Sequence, residues 1–292
     1  RGPGPFGSRL KWRHIIGIII LFIIAMNIFY GISYSLAPKI AVVPLKGTLM
    51  TESSTSLFSG TSLSSRQIAE TLRGLQSDQS VQAVLLDINS GGGSPVATAE
   101  ITQAVEELSK EKPVYALIND VGASGAFWVA VSANKSYASP MSTVGSIGVT
   151  SVGLGFEDFI KRYNISYRNQ TAGELKDMGS PYREMTEKEE EIIQDILDQL
   201  HERFINHVAD ARELPVETVR EYADGRIFLG ETAQQAGFID RLGYYPDVIE
   251  DMRNQTGDVV ITTYGQSSGL MDQLGLNGLF AEEPTTSLRF ER

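Results

Sequence analysis

Three short turns rich in glycine, alanine and serine are the places where this 292-residue chain could do chemistry. The first, Asn89–Ser94, reads Asn-Ser-Gly-Gly-Gly-Ser and lies between an apolar run and a predicted helix. Backbone N–H groups at such a helix start suit an anion or a developing oxyanion. The turn lacks the glycine and lysine spacing of nucleotide-binding loops, so it indicates no nucleotide cofactor. A tight turn with no chemical role is the alternative interpretation.

The second turn, Val121–Ala126, carries a serine that could act as a nucleophile. Ser124 lies between an alanine and a glycine, which leaves room for a substrate backbone to approach its hydroxyl. A helix that starts here would favour negative charge at the serine through its dipole. The pattern differs from the Gly-x-Ser-x-Gly elbow, because the glycine follows the serine directly. Close packing of a helix on a strand would also explain the small residues.

A serine nucleophile needs a base, and the three histidines are poorly placed to supply one. His14 precedes a long apolar segment, on the opposite side from the three turns. His201 and His207 lie on a predicted Glu-rich helix, where we expect them on the solvated surface. These positions argue against a Ser–His–Asp triad.

A lysine can replace histidine when apolar burial lowers its pKa from about 10.4 towards neutrality. Lys176 is the candidate, because it lies in the glycine-bounded loop Ala172–Gly179 beside Leu175 and Met178. The alternative is an ordinary exposed lysine. The third turn, Thr143–Gly148, carries Ser146, whose hydroxyl could orient a neutral lysine.

The composition excludes several kinds of site. The chain has three histidines and no cysteine, which excludes thiolate zinc sites, iron–sulfur clusters and a cysteine nucleophile. The acidic run Glu187–Glu191 is interpreted as the solvated first turn of a helix, where anions complement the dipole. We therefore expect no metal and no cofactor.

The elements that must position these turns alternate between strand and helix. Apolar, β-branched runs predict strands at Ile40–Leu45, Val81–Ile88, Val114–Ile118 and Ile147–Ser151, with a weaker one at Ile165–Arg168. Helices are predicted over Ser64–Gln76, over Pro95–Lys110 with Ser94 as N-cap, and after Met185 with Thr186 as N-cap. The long last helix has an apolar face of Ile192, Ile193, Ile196, Leu197, Leu200 and Phe204. This alternation predicts an α/β domain with a mainly parallel sheet flanked by helices.

An apolar segment near the N-terminus predicts one transmembrane anchor. Ile15–Leu36 contains no charged residue, and as a helix its 22 residues would span about 33 Å, enough for a bilayer core. The flanking residues Lys11, Trp12, Arg13, Tyr30 and Tyr34 place the N-terminus in the cytoplasm and the domain on the extracytoplasmic side of a cell membrane. A cleaved signal peptide, with a site at Ser35-Leu36-Ala37, is the competing interpretation.

The predicted organisation has four parts. Residues 1–14 form a cytoplasmic segment, whose first eight residues fit a cloning remnant, and residues 15–36 form the anchor. Residues 37–265 form the folded domain, and residues 266–292 form a tail of disordered composition. Residues 37–292 hold 21 cations and 36 anions, a net charge of −15. A surface this acidic repels phosphate backbones, and we therefore expect no nucleic acid partner.

Four motifs in order resemble the short form of the signal peptide peptidase A family, membrane-anchored serine proteases of the crotonase/Clp-protease-like fold group. Asn89–Ser94 resembles the family's Asn-Ser-Pro-Gly-Gly-Ser turn, and Gly122–Ala126 resembles its nucleophile segment. Thr143–Val149 resembles its Thr-Gly-Ser-Ile-Gly-Val stretch, and Gly173–Asp177 its lysine segment, Gly-x-Tyr-Lys-Asp. The likeness runs across Ile40–Leu242, with the apolar segment in the expected place before it.

The resemblance implies a role for each motif. It implies Ser124 as nucleophile, Lys176 as general base and Ser146 as the residue that holds the lysine. The N–H groups around Gly92, Gly93 and Gly125 would form the oxyanion hole. Two residues depart from the family pattern: Gly91 replaces a proline, which loosens the turn, and Leu175 replaces an aromatic residue of the pocket wall.

The resemblance also implies a function and a partner. It implies a membrane-bound Ser–Lys endopeptidase that degrades apolar peptides such as cleaved signal peptides. It implies a homo-oligomer, expected to be an octamer, in which serine and lysine come from neighbouring protomers. Two alternatives stay open: a membrane protease that processes one partner protein, as stomatin-operon proteases do, and a catalytically silent membrane scaffold.

Overall fold

The computed structural model describes residues 12, 15–26, 37–52, 55–56 and 60–264. Residues 15–26 are helical (α1), and within the described ranges no helix is both long and apolar enough to cross a bilayer. Residues 27–36 of the predicted anchor lie outside those ranges. So do the predicted tail and most of the predicted N-terminal segment.

The domain is organised around a mainly parallel sheet. Its strands are β1 (Lys39–Lys46), β5 (Val81–Ser90), β6 (Val114–Ala123), β7 (Lys135–Ala138), β8 (Thr143–Gly145), β9 (Ile227–Leu229), β10 (Arg241–Leu242) and β11 (Val260–Thr263). The order is β10-β7-β6-β5-β1-β11, and β8 pairs with both β6 and β9. Every pair is parallel except β8 with β9. The small strands β2 (Thr48–Met50), β3 (Thr55–Ser56) and β4 (Gly60–Ser64) form a separate sheet.

Helices cover both faces of the large sheet. They are α2 (Ser65–Ser77), α3 (Pro95–Ser109), α4 (Gly125–Val131), α5 (Glu157–Arg162), α6 (Glu187–Arg212), α7 (Val216–Arg220), α8 (Gly230–Gln235) and α9 (Tyr245–Thr256). The parallel sheet flanked by helices confirms the α/β prediction. Local signals set the helix starts as expected: Thr186 and Glu189 form a capping box at α6, and Pro95 opens α3. Ser94 occupies the N-cap position of α3 but makes no side-chain cap hydrogen bond.

The core lies in two layers, one on each side of the sheet. On one side α2, α3, α4 and α6 bury residues such as Ile101, Phe127 and Phe204. On the other side α9 packs Val248 and Met252, among others, against the sheet. Because strands buried on both faces must be apolar throughout, β1 and β5 read as continuous apolar runs in the sequence.

Two predicted strands are wrong. Residues Ile147–Ser151 and Ile165–Arg168 form no strand. The strand near the first of them is the shorter β8, which ends at Gly145, and Ser146 then turns the chain with φ +53°. Ile165 is 53% exposed, so the apolar residues of the second run do not mark a buried strand.

Candidate active site

The turn between β6 and α4 presents Ser124. Ser124 is the N-cap of α4, with φ 51° and ψ −128°, a region that residues with side chains rarely occupy. Its N–H donates to the Gly145 carbonyl at 2.8 Å, and its own carbonyl accepts from the Trp128 N–H at 3.0 Å. Strain of this kind persists only where the surroundings hold it, so neighbouring strand and helix together fix the serine.

Glycines surround Ser124 because no side chain would fit. A Cβ at Gly92, which has φ +91°, would lie 2.6 Å from the Gly125 nitrogen and 2.9 Å from Ser124 Cβ. A Cβ at Gly125 would overlap Thr98 Oγ1, and one at Gly93 would overlap the Leu49 backbone. The two glycine turns therefore touch each other at Ser124.

The backbone N–H groups of these glycines differ in their bonding. The Gly92 N–H donates to Ser90 Oγ at 3.1 Å, so it is not free to meet an oxyanion. Neither the Gly93 nor the Gly125 N–H has an acceptor within the described part of the chain. Of the three glycines predicted to supply the oxyanion hole, Gly93 and Gly125 thus have available donors beside Ser124.

Ser146 is held next to Ser124 by the sheet. Strands β6 and β8 pair in parallel with Ala123 opposite Gly145, and each serine follows its paired residue. Ser146 also has a positive φ, and its N–H donates to the Arg226 carbonyl at 2.9 Å. The residue that precedes the edge strand β9 thereby supports the turn that carries Ser146.

A single cavity of about 1230 Å³ is lined by Ser124, Ser146, Gly93 and Gly125. It runs from the first turn of α3 across α4 to α6. Its other lining residues include the apolar Val96, Trp128, Leu197, Leu200 and Phe204 and the acidic Asp198, Asp210 and Asp224. Within the described residues, no cluster of histidine and carboxylate side chains is arranged to hold a metal ion.

His207 belongs to the wall of this cavity, and its prediction as a solvated surface residue is wrong. Its ring stacks on the Trp128 indole at 4.5 Å between centroids, and its Nε2 lies 2.9 Å from Ser132 Oγ. Burial lowers the pKa of His207 to about 4, so the ring is neutral at pH 7. Nε2 also lies 3.3 Å from the Trp128 carbonyl, so its contacts are with α4 and the residue that caps it, and not with Ser124.

A signal for this burial exists in the sequence. His207 follows Phe204 by three residues, which places both on one face of α6. That face packs on α4, where Trp128 also contacts Phe204 at 4.9 Å between ring centroids. His201 lines the same cavity, and its Nε2 is buried without a partner among the described residues.

Lys176 does not join Ser124 at the cavity within this chain. It is exposed and is absent from the residues that line the cavity. Its loop is tied to the start of α6, because Arg183 pairs with Asp177 at 2.9 Å and with the buried Glu189 at 2.6 Å. The described residues of the chain therefore do not supply the apolar surroundings expected for a lysine base.

The segment that leads to Lys176 exposes large apolar side chains. Between β8 and α6 these include Val152, Leu154, Phe159, Tyr163 and Ile165, each more than half exposed. An exposed apolar surface of this kind is typical of a contact with another molecule.

Residues 106–258 match the model of Peptidase family S49. The chain belongs to peptidase family S49. The matched region contains Ser124, Ser146 and Lys176, whereas the Asn89–Ser94 turn precedes it.

Several S49-like proteins resemble the chain over most of its length. A protein of Enterococcus faecium named for signal peptide peptidase SppA is 31% identical over 218 residues, which cover 74% of the chain and 63% of that protein. A protein of Methanocaldococcus jannaschii named for a protease is 32% identical over 208 residues, 70% of the chain and 65% of that protein. Protease 4 of Haemophilus influenzae is 31% identical over 235 residues, 79% of the chain and 37% of that protein. The chain thus spans less than two thirds of each of these relatives.

Proposed function

We propose that this S49 chain is a serine endopeptidase that cleaves apolar peptides, with Ser124 as nucleophile and Lys176 as general base. The observation that carries the proposal is the strained turn at Ser124, flanked by the N–H groups of Gly93 and Gly125, which have no acceptor among the described residues. A nucleophile beside two unpaired backbone donors is the arrangement that acyl transfer requires.

The reaction follows from these groups. Neutral Lys176 takes the proton of Ser124 Oγ as the oxygen attacks the peptide carbonyl carbon. The carbonyl oxygen becomes an oxyanion and accepts hydrogen bonds from Gly93 and Gly125. The lysine ammonium then gives its proton to the leaving amine, which leaves an acyl ester on Ser124. Lys176 next takes a proton from water as the water oxygen attacks the ester. The acid is then released, and the lysine ammonium returns this proton to Ser124 Oγ, which restores the starting state.

A second copy of the chain supplies the lysine in this proposal. Lys176 is exposed and lies outside the cavity of its own Ser124. The adjoining apolar side chains, among them Val152 at 85% and Leu154 at 72% exposure, give another copy a surface to bury. The Ser146 hydroxyl, beside Ser124, would then form a hydrogen bond with the amine of the incoming lysine and orient it. The family resemblance suggests a ring of eight copies.

The substrate class rests on the cavity wall and on the N-terminal sequence. Trp128, Leu197 and Phe204 give the cavity an apolar wall, which suits apolar peptide side chains. The uncharged segment Ile15–Leu36 would anchor the enzyme in a cell membrane with the domain on the extracytoplasmic side. The Enterococcus faecium relative is named for a signal peptide peptidase, which supports cleaved signal peptides as substrates.

The test is hydrolysis of a fluorogenic apolar peptide between pH 6 and pH 10 by the full chain in detergent. The wild type is compared with Ser124→Ala, Lys176→Ala and the control Lys188→Ala, a nearby lysine that pairs with Glu174. We expect both active-site variants to lose about 10³-fold or more in kcat and the control to keep it. The wild-type rate should rise with pH as the lysine base loses its proton.

Each alternative has its own outcome in this experiment. Full activity of an assembled Lys176→Ala variant would refute the Ser–Lys pair. A wild type that cleaves one partner protein but no generic peptide would favour the partner-specific protease. A folded, assembled wild type that cleaves neither would favour the silent scaffold.

A further inference from the structure

Ser90, the last residue of β5, connects two turns beside the nucleophile. Its side chain is buried, with 2% of the residue exposed. Its hydroxyl donates to the Gly47 carbonyl at 2.5 Å, between β1 and β2, and accepts from the Gly92 N–H at 3.1 Å. One hydroxyl group thus joins the loop after β1 to the glycine turn after β5.

The bond from Ser90 fixes one side of Gly92, and β2 fixes the other. The Gly92 carbonyl accepts from the Leu49 N–H at 2.9 Å, and the Leu49 carbonyl accepts from the Ser94 N–H at 2.8 Å. The Gly92 carbonyl and the Gly93 N–H belong to the same planar peptide unit, in which the two groups point in opposite directions. Holding the carbonyl towards Leu49 therefore directs the Gly93 N–H away from Leu49.

The position of Gly92 couples this restraint to the nucleophile. Its backbone, with φ +91°, lies so close to Ser124 and Gly125 that even a methyl group would be 2.6 Å from the Gly125 nitrogen. A shift of the Gly92 peptide would therefore change the spacing between the two free N–H groups, those of Gly93 and Gly125. Small changes in this spacing lower kcat strongly, because the two donors must bond the oxyanion of the transition state better than they bond the carbonyl oxygen of the substrate.

The sequence of the turn makes such a restraint necessary. Three glycines in succession leave the unrestrained chain a wide choice of backbone conformations. Gly91 stands where the resembled family has a proline, so the ring that would limit the turn is missing. A Cβ at Gly91 would touch nothing within 4 Å, so side-chain packing would not fix this residue either.

We propose that Ser90 is a positioning residue for the oxyanion hole. Its hydroxyl accepts from the Gly92 N–H and so restrains the peptide before Gly92, while Leu49 holds the carbonyl of the peptide after it. Together the two bonds direct the Gly93 N–H towards the carbonyl that Ser124 attacks, and the Gly92 N–H stays occupied. This inference rests on the proposed peptidase function. It assigns Ser90 no contact with substrate.

The test compares Ser90→Ala with Ser90→Thr and with the control Ser136→Ala. Ser136 is fully buried on β7, where its hydroxyl donates to Asp240 at 3.0 Å, and it does not line the cavity. The control therefore removes a buried serine hydroxyl bond away from the site. Thermal unfolding, kcat and KM for the apolar peptide, and the rate of Ser124 labelling by a fluorophosphonate probe are measured for each variant.

We expect Ser90→Ala to lower kcat by about 10- to 100-fold, with KM changed less than about twofold. Ser90→Thr, which keeps a hydroxyl, should recover most of that loss. Ser136→Ala should keep the wild-type kcat even where its melting temperature falls as far as that of Ser90→Ala. If Ser90→Ala does not fold, Ser90→Cys, with its weaker hydrogen bonds, replaces it and should show a reduced kcat.

Two outcomes would overturn the inference while the proposed function stands. One is a folded Ser90→Ala variant with wild-type kcat. The other is an equal loss of kcat in Ser90→Ala and Ser136→Ala, which would make the effect one of general stability. A wild type that neither cleaves peptide nor reacts with the probe would instead refute the proposed function, and the oxyanion-hole role of Ser90 with it.

Discussion

Ser124 and Ser146 follow directly on two paired parallel strands, and both have a positive φ angle. Their φ angles are 51° and 53°, and the residues before them, Ala123 and Gly145, are direct partners in the sheet. The Ser124 N–H donates across the pair to the Gly145 carbonyl at 2.8 Å. One strand pairing thus brings two hydroxyl groups to the same cavity, although 21 residues separate them in the chain.

Replacing Gly125 by alanine should damage the site, whereas the same change at Gly91 should not. The new methyl group at position 125 would overlap Thr98 Oγ1, while at position 91 it would meet nothing within 4 Å. We expect Gly125→Ala to lower the free energy of unfolding by about 1–3 kcal/mol and to reduce kcat strongly. Gly91→Ala should raise the free energy of unfolding by about 0.4–1 kcal/mol with kcat unchanged. For both variants, urea unfolding measures the free energy of unfolding and peptide hydrolysis measures kcat. Wild-type activity in Gly125→Ala would show that this contact does not constrain the nucleophile turn.

Mixtures of two inactive variants should regain activity if each site combines two copies of the chain. Ser124→Ala subunits keep Lys176, and Lys176→Ala subunits keep Ser124. In a closed ring with random order, roughly a quarter of the sites would pair an intact serine with an intact lysine. We expect a mixture assembled from equal parts to reach that fraction of the wild-type rate, while each variant alone stays inactive. An inactive mixture whose mixed assembly is verified by mass would contradict a site shared between copies.

Folding stability should fall as His207 becomes able to take a proton. In the folded chain burial lowers the pKa of His207 to about 4, against the ordinary value of 6.5. The unfolded chain therefore binds this proton first, so the stabilisation is complete above pH 6.5 and is lost as the pH falls towards 4. Between pH 7 and pH 5 we expect a loss of about 2 kcal/mol from this residue.

The variant His207→Phe tests the assignment, because it keeps a ring beside Trp128 and removes the titrating group. Urea unfolding at pH 7 and pH 5 should show a smaller decrease for the variant than for the wild type. Ser132 would keep a partner, since its hydroxyl also donates to the Trp128 carbonyl at 2.9 Å. Equal decreases in both proteins would mean that other groups cause the loss.

Trp128 should determine which peptide side chains the cavity accepts. It lies one helical turn after Ser124, and its indole is held between Phe204 and His207. Trp128→Ala should enlarge the space beside Ser124. We expect the ratio of kcat/KM for peptides with a bulky side chain on the acyl side of the cleaved bond to kcat/KM for peptides with a small one to rise about tenfold. Trp128→Phe should give a smaller change in the same direction, and it serves if the alanine variant unfolds. Tyr245→Ala, an exposed aromatic residue on α9, is the control. A preference that is the same in all four proteins would exclude this role for Trp128.

The parts of the fold that depend on local signals were predictable from the sequence. The capping box at Thr186, the proline at the start of α3 and the apolar runs of β1, β5 and β6 each act over a few residues. The short strands β8 and β9 are different. Thr143–Gly145 pairs with Ile227–Leu229, more than 80 residues later, and three residues are too few for a periodic pattern. The strand was therefore expected at the more apolar Ile147–Ser151.

In the candidate site, too, features that depend on local sequence were predictable and features that depend on distant contacts or on backbone angles were not. Ser124, Ser146 and the glycines were identifiable because small residues beside strands are visible in the sequence. The bond between Ser90 and Gly92 was not, because a hydrogen bond two residues apart depends on the backbone angles of the turn. His207 was expected on the surface because charged residues surround it in α6. Its spacing from Phe204 places it on the buried face of the helix, but the sequence does not show that α4 covers that face. The role of Lys176 stays a prediction, because one subunit leaves it exposed.

The separation of Lys176 from its own Ser124 cavity has a consequence for timing. Under the proposed arrangement, a newly made chain that is still a monomer is inactive, because its Lys176 cannot reach its own Ser124. Hydrolysis would begin only when another copy arrives, so at low abundance the rate would climb more steeply than the amount of protein. Such an enzyme would need no inhibitory propeptide to protect neighbouring proteins during its synthesis, because it stays inactive while its concentration is too low for assembly.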